Sequence, residues 1–444
     1  MQGKIDIPEG LQTRLCVLGA DMLKEVPATF RSLWPDGTAI IVADENTWRA
    51  AGQSVADFLR EAGIPQDVPV IFPAEPRLHA DDRHAQNLRE RIAGKVAIAV
   101  GGGTINDICK LATEYAGNRG YLCVATAASV DGFTSYGAAM TVHGFKKTMP
   151  CAAPMAILAD TGVVGSAPDE LTASGYADLA AKIPAGADWF IADYLGEHPM
   201  APDVWQLVQP ELRDWLSDPE GLRDKHPEPL RKLFKGLAMT GFAMQFFHDS
   251  RPASGAEHLL SHVWEMDGLR KDGVEPSHGF KVAIGTLMTT ALMTETFALD
   301  PEEIAVRAAR HHGPSHAERG AMIDACLAGS AFHADTRRIA LDKLLTGGDL
   351  AVRRAAIITG WETLRTRVMN QLIPFEELKR RFAVVGAPTE PAHIGASRAS
   401  LCRAVIVAAM IRRRYTILDL LFELGLLEDM LDIVLSKDYF SDFA

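Results

Sequence analysis

The chain has 444 residues, of which 48% are hydrophobic and 23% are charged. This length favours two domains, and the composition is that of a globular protein, which argues against long disordered segments. The formal net charge of −12 argues against a nucleic-acid partner, because binding to a phosphate backbone needs a basic surface.

The cellular compartment is predicted from the cysteines and the apolar runs. The six cysteines include no Cys-x-x-Cys pair, which is typical of free thiols in a reducing compartment. Residues 1–6 lack the apolar core of a signal peptide. The longest late apolar run, 404–411, is too short to span a bilayer. We therefore expect a cytoplasmic protein without membrane insertion.

The first part of the chain alternates short apolar, β-branched runs with helical patterns. Buried strands are predicted at 39–43, 68–72, 96–100, 122–125 and 155–159, with helices between them at 47–62 and 81–93. This alternation predicts an α/β fold with a parallel sheet covered by helices. Helical periodicity dominates from about residue 168 onward, which predicts an all-α second domain. The boundary is expected near residues 165 and 166.

A glycine-rich turn follows the third predicted strand. Val100 ends the strand, and Gly101-Gly102-Gly103-Thr104 opens a helix. Glycine lets the backbone approach a phosphate closely, and the first amides of a helix bind anions. The turn matches neither Gly-x-Gly-x-x-Gly nor the Walker motif, and a tight strand-to-helix turn alone would use the same glycines.

Two further segments lie where ligands bind in open α/β sheets, after the carboxyl ends of strands. Asp44 follows the strand at 39–43 and is interpreted either as an acceptor for ribose hydroxyls or as the N-cap of the next helix. The loop 125–135 follows another strand and is dense in hydroxyl side chains, with one acid at Asp131. A plain Ser/Thr turn is the alternative interpretation of that loop.

Three histidines suggest a metal site. His258 and His262 are four residues apart, and so share one face of a helix, and His278 follows soon after. His258 and His278 with a carboxylate from earlier in the chain would make three protein ligands and one open position, which describes a catalytic metal. A single histidine on a helix is more often structural, so the hypothesis depends on the set.

These motifs, with Gly175-Tyr176-Ala177-Asp178-Leu179 and residues 278–282, closely resemble the sn-glycerol-1-phosphate dehydrogenases. In particular, the chain looks like the bacterial AraM-like branch, within the iron-containing alcohol dehydrogenase and dehydroquinate synthase-like superfamily. The resemblance extends from about residue 44 to 419. It implies a Rossmann-like dinucleotide-binding domain over 1–165, an all-helical metal- and substrate-binding domain over 166–444, and a homodimer.

The implied reaction is the reduction of dihydroxyacetone phosphate to sn-glycerol 1-phosphate with NAD or NADP as cofactor and one divalent zinc, nickel or iron ion. The resemblance assigns the metal to Asp178, His258 and His278. It places Asp131 and His262 near the substrate, where an ordinary histidine pKa of about 6.5 would suit proton transfer. The implied cofactor residues are Asp44, Gly101, Gly102, Gly103, Thr104, Ile105, Thr126, Ala127, Ala128, Ser129 and Ser135.

One departure from the family pattern is visible. The family commonly has Gly-Phe-Gly-Asp-Leu-Leu-Gly-Lys around the aspartate, whereas Ala177 and Ala181 replace two of those glycines here. The aspartate and Lys182 are kept. The metal hypothesis is therefore unaffected. The replacements bear on the packing around the aspartate and on the space left for the cofactor or substrate.

Several alternatives remain open. A glycerol or polyol dehydrogenase of the same superfamily would use the same Asp-His-His set without a phosphate pocket. A non-catalytic nucleotide-binding sensor is the alternative from another class. Asp44 favours NAD, because a carboxylate repels a 2′-phosphate. Lys146, Arg251 and Lys281 are candidates for the substrate phosphate.

Overall fold

A parallel β-sheet organises the first part of the fold. The computed structural model describes residues 3–441, apart from the side chain of Phe145. Residues 1, 2 and 442–444 lie outside this range. The first two belong to the segment 1–6 on which the signal-peptide prediction rests. The sheet has six strands, and two more form an antiparallel hairpin. The strands are β1 (Leu15–Gly19), β2 (Ala39–Asp44), β3 (Val70–Phe72), β4 (Val96–Gly101), β5 (Leu122–Ala125), β6 (Ala138–Val142), β7 (Phe145–Met149) and β8 (Ala156–Asp160).

Helices make up most of the rest. Short 3₁₀ or π segments occur at Met22–Glu25, Trp48–Gly52, Asp131–Phe133, Arg251–Ala253 and Pro391–Ile394. The α-helices are α1 (Val26–Leu33), α2 (Glu45–Thr47), α3 (Gln53–Glu61), α4 (Asp82–Ile92), α5 (Gly103–Tyr115), α6 (Thr161–Gly165), α7 (Asp169–Ala180), α8 (Lys182–Tyr194), α9 (Pro202–Trp215), α10 (Pro219–Arg223), α11 (Pro227–Phe247), α12 (Ala256–Met266), α13 (His278–Ala298), α14 (Pro301–Arg310), α15 (His316–Cys326), α16 (His333–Asp342), α17 (Gly347–Thr359), α18 (Trp361–Gln371), α19 (Phe375–Val385), α20 (Arg398–Ala408), α21 (Ile417–Leu424) and α22 (Leu427–Ser436).

The predicted fold class is confirmed. All five predicted strands are present, although β3 is only three residues long, and beyond Asp160 the described residues form helices and loops. The predicted helix 47–62 begins earlier, at Glu45, and includes the π segment. The sequence did not predict β1 or the hairpin of β6 and β7. β1 pairs with β8, so its place in the sheet depends on a partner far away in the chain.

The sheet strands are parallel and the central ones are buried. Every residue of β4 and β5 is buried, as is usual where helices cover both faces of a parallel sheet. The strand order is β1-β8-β5-β4-β2-β3. Because the connection from β2 leads outward to β3 and the chain then returns to β4, the direction of strand addition reverses between β2 and β4. The carboxyl ends of β2 and β4 therefore flank a topological switch point, where ligands bind in such folds.

Residue contacts group the chain into two compact units. One comprises Met1–Leu179 and Pro210–Ser250 and contains both sheets; the other comprises Ala180–Gln209 and Arg251–Ala444 and is helical. The boundary predicted near residue 165 marks where strands give way to helices, and it stays a prediction.

Within residues 3–441, no single helix is both long and apolar enough to cross a membrane. The helices α13 and α14 reach the required length and composition only as a pair, which bends by 101° at its break.

Candidate functional site

The predicted cofactor segments lie together at one edge of the parallel sheet. Val42 pairs with Ala99, so Asp44 and the glycine turn follow at the same end of neighbouring strands. Gly101 pairs with Ala125, which brings the loop after β5 to the other side of the turn. The fold thus places these three sequence-predicted segments around the switch point.

The start of α5 has room for a ligand at one glycine. A Cβ on Gly101 would lie 2.6 Å from Ile105, and one on Gly103 would lie 2.8 Å from Val130, so these two glycines are required for packing. A Cβ on Gly102 would meet nothing within 4 Å. Gly102 is the N-cap residue, no side chain caps this helix, and its first turn carries no acid. The first amides of α5 are therefore suited to an anion.

Asp44 caps the following helix, as the alternative interpretation predicted. Its Oδ1 accepts hydrogen bonds from the backbone N–H groups of Asn46 and Thr47, both at 2.8 Å, and Thr47 completes a capping box. Its Oδ2 accepts no hydrogen bond from the described residues. One carboxylate oxygen is therefore used for the cap, and the other is available to a ribose hydroxyl.

A buried lysine that the sequence analysis missed fixes the loop after β5. Lys110 on α5 donates to the carbonyl oxygens of Gly132 and Gly137, both at 2.9 Å, and of Ser135 at 3.1 Å. The Ser135 hydroxyl donates to Gly132 O within the same loop. The described contacts of Ser135 thus hold the loop, and its predicted cofactor role stays a prediction. Thr126, Ala127, Ala128 and Ser129 are also buried, and the Thr126 N–H donates to Gly101 O at 3.2 Å.

The helix α7 packs against this loop so closely that only glycine fits at one position. A Cβ on Gly175 would lie 1.9 Å from Ala128 O. One turn further along, Asp178 is fully buried, and its Oδ2 accepts the backbone N–H of Asp131 at 3.0 Å. The replacements Ala177 and Ala181 are fully buried as well. The loop therefore links the predicted cofactor residues to the predicted metal carboxylate.

The three histidines lie on α12 and at the first residue of α13. His258 is buried, whereas His262 and His278 are half-buried. The ring centroids of His258 and His278 are 5.5 Å apart, and those of His262 and His278 are 6.1 Å apart. The i, i+4 prediction for His258 and His262 is confirmed by the helix α12.

Asp178, His258 and His278 form a group that could hold a metal ion. Each offers one ligand atom, and the three atoms lie within 4.8 Å of one another. A carboxylate and two imidazoles suit a divalent transition metal such as zinc, iron or nickel.

His262 lies close to His278, with the two ring centroids 6.1 Å apart, and its pKa is strongly shifted. Its Nδ1 is 3.4 Å from Glu265 Oε2. The pKa of His262 is lowered to about 4, mainly by burial and to a smaller extent by the charges of Arg412 and His278, against the opposing effect of Glu265. The expectation of an ordinary histidine pKa is therefore wrong here, because the ring is desolvated. His262 is neutral at pH 7.

The three cations proposed for the substrate phosphate all have partners within the chain. Arg251 is buried, and its guanidinium donates to the backbone oxygens of Tyr415 and Asp188 at 2.9 and 2.8 Å. Lys281 is buried and pairs with Glu275 at 2.8 Å. Lys146 lies in β7 and is half-buried.

A close approach between α12 and α13 positions both histidine-bearing helices. A Cβ on Gly285 would lie 2.3 Å from Glu257 O. We expect Gly285→Ala to lower the free energy of unfolding by about 1–3 kcal/mol, because the helices must separate. It should also weaken divalent-cation binding, since Glu257 adjoins His258. Urea unfolding and calorimetric titration with Zn²⁺ measure the two effects. Gly348→Ala, at a helical glycine with nothing within 4 Å, is the control; equal stability of the two variants would contradict this account.

Comparisons with a family model and with solved structures show the fold of the chain. A model of the iron-containing alcohol dehydrogenase family matches residues 17–168. A probable glycerol dehydrogenase from Sinorhizobium meliloti aligns with 98% of this chain and 100% of its own, with a TM-score of 0.58 and 15% identity. Glycerol dehydrogenase from Schizosaccharomyces pombe aligns with 98% of this chain and 94% of its own, with a TM-score of 0.57 and 14% identity. These likenesses show that the chain has the iron-containing alcohol dehydrogenase fold.

Sequence relatives identify the family within that fold. Glycerol-1-phosphate dehydrogenase (NAD(P)+) from Halalkalibacterium halodurans is 36% identical over 57% of this chain and 64% of the relative. The enzyme of that name from Geobacillus stearothermophilus is 39% identical over 55% of this chain and 61% of the relative. These matches span less than two thirds of the two bacterial relatives. The Pyrococcus furiosus enzyme of the same name is 32% identical over 63% of this chain and 78% of the relative. The chain therefore belongs to the glycerol-1-phosphate dehydrogenase family.

Proposed function

We propose that this chain is a metal-dependent dehydrogenase that reduces dihydroxyacetone phosphate to sn-glycerol 1-phosphate with NADH or NADPH. The observation that carries the proposal is the grouping of Asp178, His258 and His278. In a chain of the glycerol-1-phosphate dehydrogenase family, this donor set is suited to a catalytic divalent cation with an open coordination position.

The residues fit such a cation. Asp178 is buried, and the Asp131 N–H hydrogen bond orients its carboxylate. Each ring Nδ1 of the two histidine ligands lies 2.8 Å from a glutamate oxygen, which leaves the other ring nitrogen for the metal. A cation held there supplies Lewis-acid polarisation of a ketone oxygen.

The residues also fit a dinucleotide. The open space at Gly102 and the amides at the start of α5 suit a pyrophosphate, and Asp44 Oδ2 suits a ribose hydroxyl. A bound reduced nicotinamide supplies hydride to the carbonyl carbon. The carboxylate of Asp44 favours NADH, because it would repel the 2′-phosphate of NADPH. Thr104, Ile105 and the segment 126–129 would line the same site.

The proton that completes the reduction requires a donor near the substrate oxygen. His262 is neutral at pH 7, because burial lowers its pKa to about 4, so it acts as a hydrogen-bonding partner and not as a cationic acid. We propose that His262 and Asp131 orient the substrate hydroxyl and a water that delivers the proton. We also propose that the protein works in the cytoplasm as a homodimer and that its substrate is a small phosphorylated ketone.

The main competing function is a glycerol or polyol dehydrogenase, which the named structural neighbours favour. Initial rates with dihydroxyacetone phosphate and with dihydroxyacetone, at matched NADH and metal concentrations, separate the two. We expect kcat/KM to be at least about 100-fold higher for the phosphorylated ketone, since binding of the phosphate contributes about 3 kcal/mol or more. Equal efficiency with both ketones would contradict the proposal and favour the polyol dehydrogenase. Absence of turnover with NADH and NADPH would instead favour the nucleotide-binding sensor.

A further inference from the structure

The buried ligand candidate His258 is held by the residue that precedes it. His258 Nδ1 lies 2.8 Å from Glu257 Oε1, and a carboxylate can only accept, so Nδ1 carries the proton. The same oxygen accepts the Gly255 N–H at 2.6 Å, which fixes the glutamate. Glu257 is fully buried, so the carboxylate and the imidazole meet without competing water.

A second carboxylate holds the other ligand histidine. His278 Nδ1 lies 2.8 Å from Glu265 Oε1, and Glu265 Oε2 lies 3.4 Å from His262 Nδ1. The Lys281 ammonium is 3.4 Å from Glu265 Oε1. One carboxylate therefore contacts a candidate metal ligand with one oxygen and the substrate-side histidine with the other.

The two glutamates impose the same tautomer on both ligand rings. When Nδ1–H donates to a carboxylate, the lone pair remains on Nε2, and the ring orientation is fixed by the hydrogen bond. We propose that Glu257 and Glu265 are positioning residues: they hold His258 and His278, respectively, with Nε2 available to a divalent cation. Glu265 also holds the ring of His262 beside this site through its second carboxylate oxygen. The inference rests on the proposed metal-dependent function and deepens it.

A structural role alone does not account for Glu257. Its Oε2 is buried and has no hydrogen-bond partner among the described residues, and the buried carboxylate of Asp188 lies nearby. Burying a carboxylate oxygen without a partner costs free energy, and an apolar residue in its place would often stabilise the fold. A role in orienting His258 explains why a carboxylate occupies this position.

The test measures cation affinity, not turnover. The unmodified protein, Glu257→Gln and Glu265→Gln are stripped of metal and titrated with Zn²⁺ in competition with a chromophoric chelator. We expect each substitution to weaken Zn²⁺ binding by about 10- to 100-fold, the usual effect of removing a carboxylate that supports a histidine ligand. Glu265→Asp, which restores the charge, should recover part of the loss.

Glu275→Gln is the matched control, because Glu275 pairs with Lys281 as Glu265 does, whereas the hydrogen bond to His278 Nδ1 comes from Glu265. It should bind Zn²⁺ within about threefold of the unmodified protein, a difference of less than about 1 kcal/mol. Circular dichroism checks that each variant is folded. The absorption spectrum of bound Co²⁺ reports a changed ligand field, which a turnover measurement would not detect.

The inference is overturned if Glu257→Gln and Glu265→Gln bind Zn²⁺ as tightly as the control, or if the unmodified protein binds no divalent cation. It is supported if the two variants lose affinity and the control does not, whether or not the protein reduces dihydroxyacetone phosphate. Absence of turnover together with these affinities would refute the proposed substrate alone, so the two failures are distinguishable.

Discussion

The His258→Ala variant is expected to lose divalent-cation binding and to reduce dihydroxyacetone phosphate at least about 1000-fold more slowly than the unmodified protein. That factor corresponds to about 4 kcal/mol of transition-state stabilisation, in the range that a Lewis-acid metal supplies. Of the two histidines grouped with Asp178, His258 is the buried one, so its loss removes a ligand that water replaces poorly. Metal content and NADH oxidation measure the two effects.

The control for this variant is His316→Ala. His316 is exposed at the start of α15, so its replacement tests the general effect of removing an imidazole. It should retain metal and turnover. A His258→Ala protein that keeps its metal and more than a tenth of its activity would refute the assigned site.

The Gly102→Ala variant is expected to bind NADH at least about tenfold more weakly with at most a small loss of stability. A methyl group at Gly102 would occupy space that is open at the start of α5. It would move a bound phosphate away from the backbone N–H groups, beyond hydrogen-bonding distance. The backbone there is extended, with φ −82° and ψ −168°, which alanine adopts without strain. The free energy of unfolding should therefore fall by no more than about 1 kcal/mol, the loss expected when alanine replaces glycine at an N-cap.

Fluorescence titration with NADH and urea unfolding separate the binding effect from the stability effect. The control is again Gly348→Ala, since both glycines face open space but only Gly102 lies at the switch point of the sheet. Unchanged NADH affinity in Gly102→Ala would place the pyrophosphate elsewhere.

The sheet and the position of the proposed cofactor segments at its carboxyl edge could be predicted because their signals are local. A buried strand shows a short apolar, β-branched run, and the turn residues that follow lie at its carboxyl end wherever the strand sits in the sheet. Asp44 and Gly102 were proposed as cofactor residues in this way, and their roles stay predictions. The two interpretations of Asp44 are compatible, because the helix cap uses only Oδ1.

The residues that hold the site together could not be predicted in the same way. Gly175 and Gly285 are required by contacts with Ala128 and Glu257, which are distant in sequence, and no local pattern reports such contacts. Lys110 was missed because a buried lysine that binds backbone carbonyls looks, in sequence, like a solvated one on a helix. The proximity of Glu265 to His262, three residues away on one helix face, was a usable signal. The pKa of His262 depends on burial, which a sequence does not show.

The histidine pair on α12 now has two distinct assignments. His258 belongs to the candidate metal group, whereas His262 is neutral and lies on the substrate side in the proposed function.

The most direct measurement is steady-state reduction of dihydroxyacetone phosphate by the purified protein, with metal content determined on the same sample. We expect turnover in proportion to bound divalent metal, loss of turnover after chelation, and recovery when Zn²⁺, Ni²⁺ or Fe²⁺ is added back. Full turnover by protein shown to be free of metal would contradict the account.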